Sequence, residues 1–189
     1  MKHPFERIKA SYREFRNIKA ITICAMFGAL SIILGYFSIQ IGDFLKIGFS
    51  SLPNEVVAYL FGPVVASLFG GIMDILKYMI KPTGAFFPGF TITAIVAGLI
   101  NGFLLYKRPI KLSRILITKF LVIVICDIAL NTIWLSILYG KGFMMLLPMR
   151  AIKNLIMWPV EGLLLFTMLK MLNATGLLKE VQTSRNSIS

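Results

Sequence analysis

LPNEVVAYLFGPVVASLFGGIMDILKYMI, residues 52–80, decides how often the chain turns. Its first part, Leu52 to Phe61, is apolar but too short to cross a hydrocarbon core of ~30 Å, which takes about 20 residues of helix. Gly62-Pro63 then either reverses the chain or only kinks one longer helix. The basic residues decide between these. Lys2, Arg7, Lys9, Arg13, Arg16 and Lys19 place the N-terminus in the cytoplasm, because basic flanks stay inside. With a reversal at Gly62-Pro63, the basic loop from Lys107 through Arg108, Lys111 and Arg114 also falls inside. With a kink it falls outside, against that rule. The reversal is therefore expected. It gives six spans, near Ile18 to Phe37, Leu52 to Phe61, Val64 to Ile80, Phe90 to Tyr106, Ile115 to Leu138 and Pro148 to Leu172.

Composition agrees with this class. The chain is 57% hydrophobic and 15% charged, against about half apolar and a quarter charged in a soluble domain. The expected fold is an all-α integral membrane protein with six transmembrane helices and both termini cytoplasmic. Residues 1–17 form a basic cytoplasmic segment, 18–172 a single six-helix domain in the bilayer, and 173–189 a cytoplasmic tail. The N-terminus does not read as a cleavable signal, since the apolar segment after Lys19 has no small-residue cleavage site before polar sequence. The net charge of +12 sits in short clusters between apolar runs. Membrane topology accounts for such clusters, and nucleic acid is not an expected partner.

Several chemistries lack their residues. His3 is the only histidine and lies in a charged tail, which argues against a histidine metal site or a serine triad. Cys24 and Cys126 lie inside apolar runs, where a thiol is usually a small packing residue. Asn173-Ala174-Thr175 fits a glycosylation acceptor, but the topology places it in the cytoplasm. There is no Walker-type phosphate loop, so any ATP hydrolysis would belong to another chain. No cofactor or metal is expected.

Ionisable side chains inside spans are costly unless paired or lining a cavity, and each is a candidate for function. Asp74, Lys77, Tyr78 and Lys81 share one face of the third helix at i, i+3, i+4, i+7 spacing. Asp127, Asn131 and Trp134 share a face of the fifth, and Arg150, Lys153, Asn154, Met157 and Glu161 a face of the sixth. Most lie towards the outer ends of their helices, so an outward-facing cavity is their natural meeting place. Amides, aromatic planes, a carboxylate and several cations suit a flat heteroaromatic solute with negative charge. Two bland readings stand beside this one. Asp74 and Lys77 either pair with each other or meet a ligand, and Glu161 and Asp127 either partner Lys119 and backbone groups or line the cavity.

Two further features are singled out. KPTGAFFPGFT, residues 81–91, falls on the outer face, where Pro82, Gly84, Pro88 and Gly89 frame either a lid carrying Phe86 and Phe87 or an aromatic interfacial anchor. On the first helix, Ala25, Gly28 and Ala29 form a stripe of small residues that lets another helix approach closely. That neighbour is either part of the same bundle or a partner subunit.

The run Ile41-Gly42-Asp43-Phe44-Leu45-Lys46-Ile47-Gly48-Phe49 into Leu52-Pro53, followed by Phe61-Gly62-Pro63 and Gly70-Gly71-Ile72-Met73-Asp74, resembles the substrate-binding S component of energy-coupling factor (ECF) vitamin transporters. The Ala25 and Ala29 pattern is similar to the alanine motif by which that family contacts its transmembrane coupling subunit. Pro82-Thr83-Gly84 with Phe87-Pro88-Gly89-Phe90-Thr91, then Asn131-Thr132-Ile133-Trp134-Leu135 and Arg150-Ala151-Ile152-Lys153-Asn154, resemble the folate-specific branch. The resemblance implies a folate-binding subunit that captures the vitamin from outside and works with a coupling subunit and two cytoplasmic ATPases.

For folate, the implied site is chemically specific. A carboxylate, Asp74, would accept the pterin ring N–H and amino group in parallel. Phe87, Phe90 or Trp134 would stack on the rings, with Thr91 at the first turn of the next helix. Asn131 and Asn154 would satisfy the remaining donors and acceptors, and Lys77 or Arg150 the anionic glutamate tail. The rivals are the same architecture for riboflavin, thiamine or pantothenate, a membrane assembly subunit, and a lipid-modifying enzyme. The enzyme is disfavoured because no nucleophile stands with a base at helical spacing.

Overall fold

The computed structural model describes residues 8–9, 11–12, 14, 18–41, 45–82, 85–140 and 143–175. Gly84, the loop tip at Gly42 to Phe44 and nearly all of the 173–189 tail lie outside the described residues. Among the described residues the helices are α1 (Ile18–Tyr36), α2 (Leu52–Phe61), α3 (Pro63–Ile80), α4 (Pro88–Leu105), α5 (Leu112–Tyr139) and α6 (Phe143–Ala174). Five of them, all but α2, are long and apolar enough to cross a membrane.

The strictly all-α expectation needs one correction. Between α1 and α2 the chain forms a short antiparallel hairpin, β1 (Ile39–Ile41) and β2 (Leu45–Ile47), with Gln40 opposite Lys46. Apolar and polar residues alternate in both segments, which is the period of a strand. The sequence reading treated this stretch as plain loop.

Gly62-Pro63 is a reversal. Gly62 has φ +88°, a left-handed conformation open to glycine. Pro63 starts α3 where its missing N–H costs nothing. At the far ends of the two helices, Lys77 Nζ donates to the Ser50 carbonyl at 2.9 Å, so α2 and α3 run antiparallel. Ser11 closes the turn from a distant part of the chain. Its hydroxyl donates to the Phe61 carbonyl at 2.7 Å and accepts from the Val64 and Val65 amides at 3.1 and 3.2 Å. These groups, at the end of one helix and the start of the next, have no partner within their own helices.

Although short, α2 is the best shielded helix. All of its residues except Asn54 and Tyr59 are buried. Val56, Val57 and Phe61 pack with Ile115 of α5 and with Leu165 and Leu169 of α6 to form the core. α3 and α4 also approach closely. A Cβ at Gly98 would stand only 2.4 Å from the Ala66 carbonyl oxygen, so any larger residue would force the helices apart.

Two long helices depart from regular α geometry. In α5 the middle segment Ile123–Leu130 takes the wider π turn, between α-helical Leu112–Val122 and Asn131–Tyr139. Such π segments are rare and frequently occur at functional sites. α6 contains Pro148 and Pro159 and begins at Phe143, five residues before the expected start. Membrane helices tolerate internal prolines because neighbouring groups satisfy the freed carbonyls.

Candidate functional site

The helices enclose a cavity of about 460 Å³, lined from α2, α3, α4, α5 and α6 and from the segment preceding α2. Of the residues expected at a binding site, Asp74, Lys77, Phe86, Phe87, Phe90, Asn131, Arg150 and Asn154 line it. Thr91 and Trp134 stand behind the lining and hold it in place. Pro82 is exposed.

The α3–α4 end is aromatic and cationic. Phe87 meets Phe90 edge-on at 6.1 Å and Trp134 at 5.6 Å, and Phe86 lies 5.1 Å from Tyr78. The Trp134 indole N–H donates to Thr93 Oγ1 at 3.1 Å, and Thr93 donates to the Gly89 carbonyl at 3.0 Å. This chain of bonds fixes the first turn of α4. Trp134 packs so closely there that a Cβ on Gly89 would lie 2.5 Å from its ring. Lys81 Nζ donates to the Tyr36 carbonyl at 2.9 Å and lies over the Tyr36 ring, joining the end of α3 to the end of α1.

Asp74 and Lys77 point to partners on other elements. The Thr91 hydroxyl donates to Asp74 Oδ2 at 2.8 Å, and Lys77 reaches Ser50. On α5, Asn131 Nδ2 donates to Asp127 Oδ1 at 3.2 Å. The Asp127 carbonyl, inside the π segment, accepts from Arg150 Nη2 at 3.1 Å and from Thr132 Oγ1 at 3.4 Å. The irregular turn thus gives the Arg150 guanidinium a backbone anchor. Asn154, one turn further along α6, is buried.

The deep end is acidic. Lys119 Nζ of α5 bonds Glu55 Oε1 of α2 at 2.6 Å and Glu161 Oε2 of α6 at 2.7 Å, and all three residues line the cavity. Two acidic side chains share one ammonium. Along α6, Glu161 is eleven residues from Arg150, about 16 Å at 1.5 Å per residue. The cavity therefore has a cationic end, with Lys77, Lys81, Arg150 and Lys153, and an acidic end about three helical turns deeper.

The sequence reading missed Glu55. Its signal was available, since it is the one acidic residue of an otherwise apolar ten-residue helix. Asn54 and Asn101 also line the cavity without having been singled out in the sequence, and Tyr78 lines it with the rest of its helix face. The small-residue stripe of α1 divides. Gly28 is buried, and a Cβ there would meet Met73 Sδ at 3.2 Å, so it packs against α3. Ala25 and Ala29 are exposed. Among the described residues no group of histidine, cysteine and acidic side chains could hold a metal ion. The geometry suits capture of an elongated solute with unlike ends.

Comparison with known proteins agrees with this architecture. The family model for the ECF transporter, substrate-specific component, matches residues 19–169. The folate transporter FolT of Clostridium novyi (strain NT) is 34% identical over 146 residues, covering 77% of this chain and 84% of that protein. FolT of Leuconostoc mesenteroides subsp. mesenteroides is 32% identical over 152 residues, covering 77% and 81%. A crystal structure of FolT bound with folic acid superposes with a TM-score of 0.74 at 28% identity, covering 80% of this chain and 93% of that one.

Proposed function

This chain belongs to the family of ECF transporter substrate-specific components, and from that premise we propose that it binds folate outside the cell and passes it through an ECF-type importer. The observation that carries the choice of folate is the likeness, over nearly the whole length of the neighbour, to FolT bound with folic acid. The cavity's polarity supports it. Folate has a donor-rich pterin head and an anionic glutamate tail, and the cavity has an acidic end and a cationic end.

The rings lie along Phe87 and Phe90, with Trp134 and Thr91 bracing those positions. Asn131 and Asn154 meet amide and ring atoms, and Lys77 and Arg150 take the glutamate carboxylates. Asp74, the carboxylate expected for the pterin from the sequence, lines the cavity wall with Oδ2 bonded to Thr91. Pro82, Phe86, Pro88 and Gly89 belong to a lid over the entrance. Six helices cross the bilayer with both termini cytoplasmic. The reversal at Gly62 and the basic residues Lys107, Arg108, Lys111 and Arg114 support that orientation. Residues 1–17 and 173–189 flank the membrane domain 18–172 on the cytoplasmic side.

Folate reaches the cytoplasm through a transmembrane coupling subunit, docked on the exposed Ala25 and Ala29 face, and two ATPase subunits that hydrolyse ATP. The test is uptake of labelled folate by cells expressing this chain with and without those partners. Uptake that needs all components is expected. Uptake of riboflavin, thiamine or pantothenate in place of folate would move the chain to another vitamin, and no uptake with no bound vitamin would favour an assembly subunit.

A further inference from the structure

Glu55 is bonded through only one of its two oxygens. Oε1 meets Lys119, whereas Oε2 is buried with no hydrogen-bond partner among the described residues, and the residue is 4% exposed. A buried acceptor left without a donor is destabilising, and for a charged group the cost is larger. Such groups in native structures call for an explanation. Glu55 lines the cavity, as does Asn101, whose Oδ1 is a second buried acceptor without a partner while its Nδ2 donates to the Ala97 carbonyl. Both are acceptors that lack a donor among the described residues.

We propose that Glu55 is the specificity-determining carboxylate of this site, accepting the adjacent ring N–H and amino group of an aminopyrimidine-type head through its free oxygen and its Lys119-bonded oxygen. This rests on the folate reading and deepens it, because the pterin is such a head. Each carboxylate oxygen carries two lone pairs, so Oε1 can serve Lys119 and the ligand together. Lys119 holds Oε1 in place from one side, and Glu161 shares its ammonium from the other. Asp74 is placed differently. Its Oδ2 already accepts from Thr91, it is only partly buried, and Lys77 and Lys81 share its helix face. An anionic tail at the cationic end and a donor pair at Glu55 orient the solute head inward, with the acidic cluster as the floor.

The test is a cycle on the full-length chain purified in detergent, titrated calorimetrically with folic acid and with its 2-desamino-2-methyl analogue. For the wild type, the analogue is expected to bind about 10- to 100-fold more weakly, the range of a hydrogen bond to a charged group. In Glu55→Gln the two ligands are expected to bind within about threefold of each other, while Asp74→Asn keeps the wild-type discrimination. Glu55→Gln weakening both ligands by the same factor, with discrimination unchanged, assigns Glu55 a purely structural role and overturns the proposal. So does loss of discrimination in Asp74→Asn alone. No binding of folic acid by the wild type overturns the folate reading itself, and that outcome is distinct because it precedes any variant. Should Glu55→Gln fail to fold, a structure of the wild type with folic acid decides. The pterin amino nitrogen within about 3.2 Å of a Glu55 oxygen supports the proposal, and the same contact to Asp74 or Asp127 overturns it.

Discussion

The Ser11 hydroxyl donates a 2.7 Å hydrogen bond to the Phe61 carbonyl, across 50 residues of sequence, at the point where the chain turns back on itself. The same oxygen accepts from Val64 and Val65. One hydroxyl therefore serves as cap for the end of α2 and the start of α3. Ser11→Ala leaves these buried groups unpartnered and is expected to lower stability by about 1–3 kcal/mol. Thermal unfolding in detergent measures this, and an unchanged midpoint would show that water or another group replaces the hydroxyl.

Lys119 is the keystone of the deep end. Lys119→Met removes the only ammonium among the described residues that bonds Glu55 and Glu161, and leaves the two carboxyl groups buried together. Breaking a buried pair in this way costs roughly 3–5 kcal/mol, whereas replacing all partners by neutral groups is often close to neutral. The single variant is therefore expected to be poorly folded, and the triple variant Glu55→Gln, Lys119→Met, Glu161→Gln to regain much of the stability. Denaturation midpoints of the two compare them directly. A stable single variant would mean that the cluster does not depend on Lys119.

Arg150 is held by the Asp127 carbonyl of the π segment and lines the cavity. Arg150→Ala is expected to weaken folic acid by about 10- to 100-fold, from loss of a charge-assisted contact to the tail. Pteroic acid, which lacks the glutamate, is expected to lose little. The ratio of the two affinities separates a tail contact from general damage. Equal losses for both ligands would remove Arg150 from that role.

Ala25 is exposed on α1, one turn before Gly28, which packs against α3. Ala25→Trp adds bulk where a partner helix would approach. Folate binding by the isolated chain is expected to stay within about twofold, while uptake in the presence of the coupling subunit and ATPases falls to background. Retained uptake would place the partner on another face.

The helices were largely legible because apolar runs broken by glycine, proline and charge leave few alternatives. Leu52–Phe61 even has the limits expected from its sequence. Readings that depended on contacts between elements were less secure. The Asp74 and Lys77 spacing allows an internal pair, and only the approach of Thr91 from α4 and Ser50 from the segment before α2 shows where those side chains reach. The π segment left no mark, since Ile123-Val124-Ile125-Cys126 is as apolar as any regular span. Glu55 gave only a weak signal because it stands on a ten-residue helix, well below the length that marks a span in sequence, whereas the ionisable residues of the longer helices interrupt clear apolar runs. Burial is what makes it significant, and burial is a property of the packed bundle.

Folate binding by the chain alone is the central claim, and titration of purified protein followed by tryptophan fluorescence tests it most directly. Trp134 sits 5.6 Å from Phe87 beside the cavity, so an aromatic ligand seated there should change its emission. A saturable one-to-one response to folic acid at submicromolar concentration, with none to riboflavin, thiamine or pantothenate, is the expected result. Saturable binding of one of those vitamins with no binding of folic acid would contradict it.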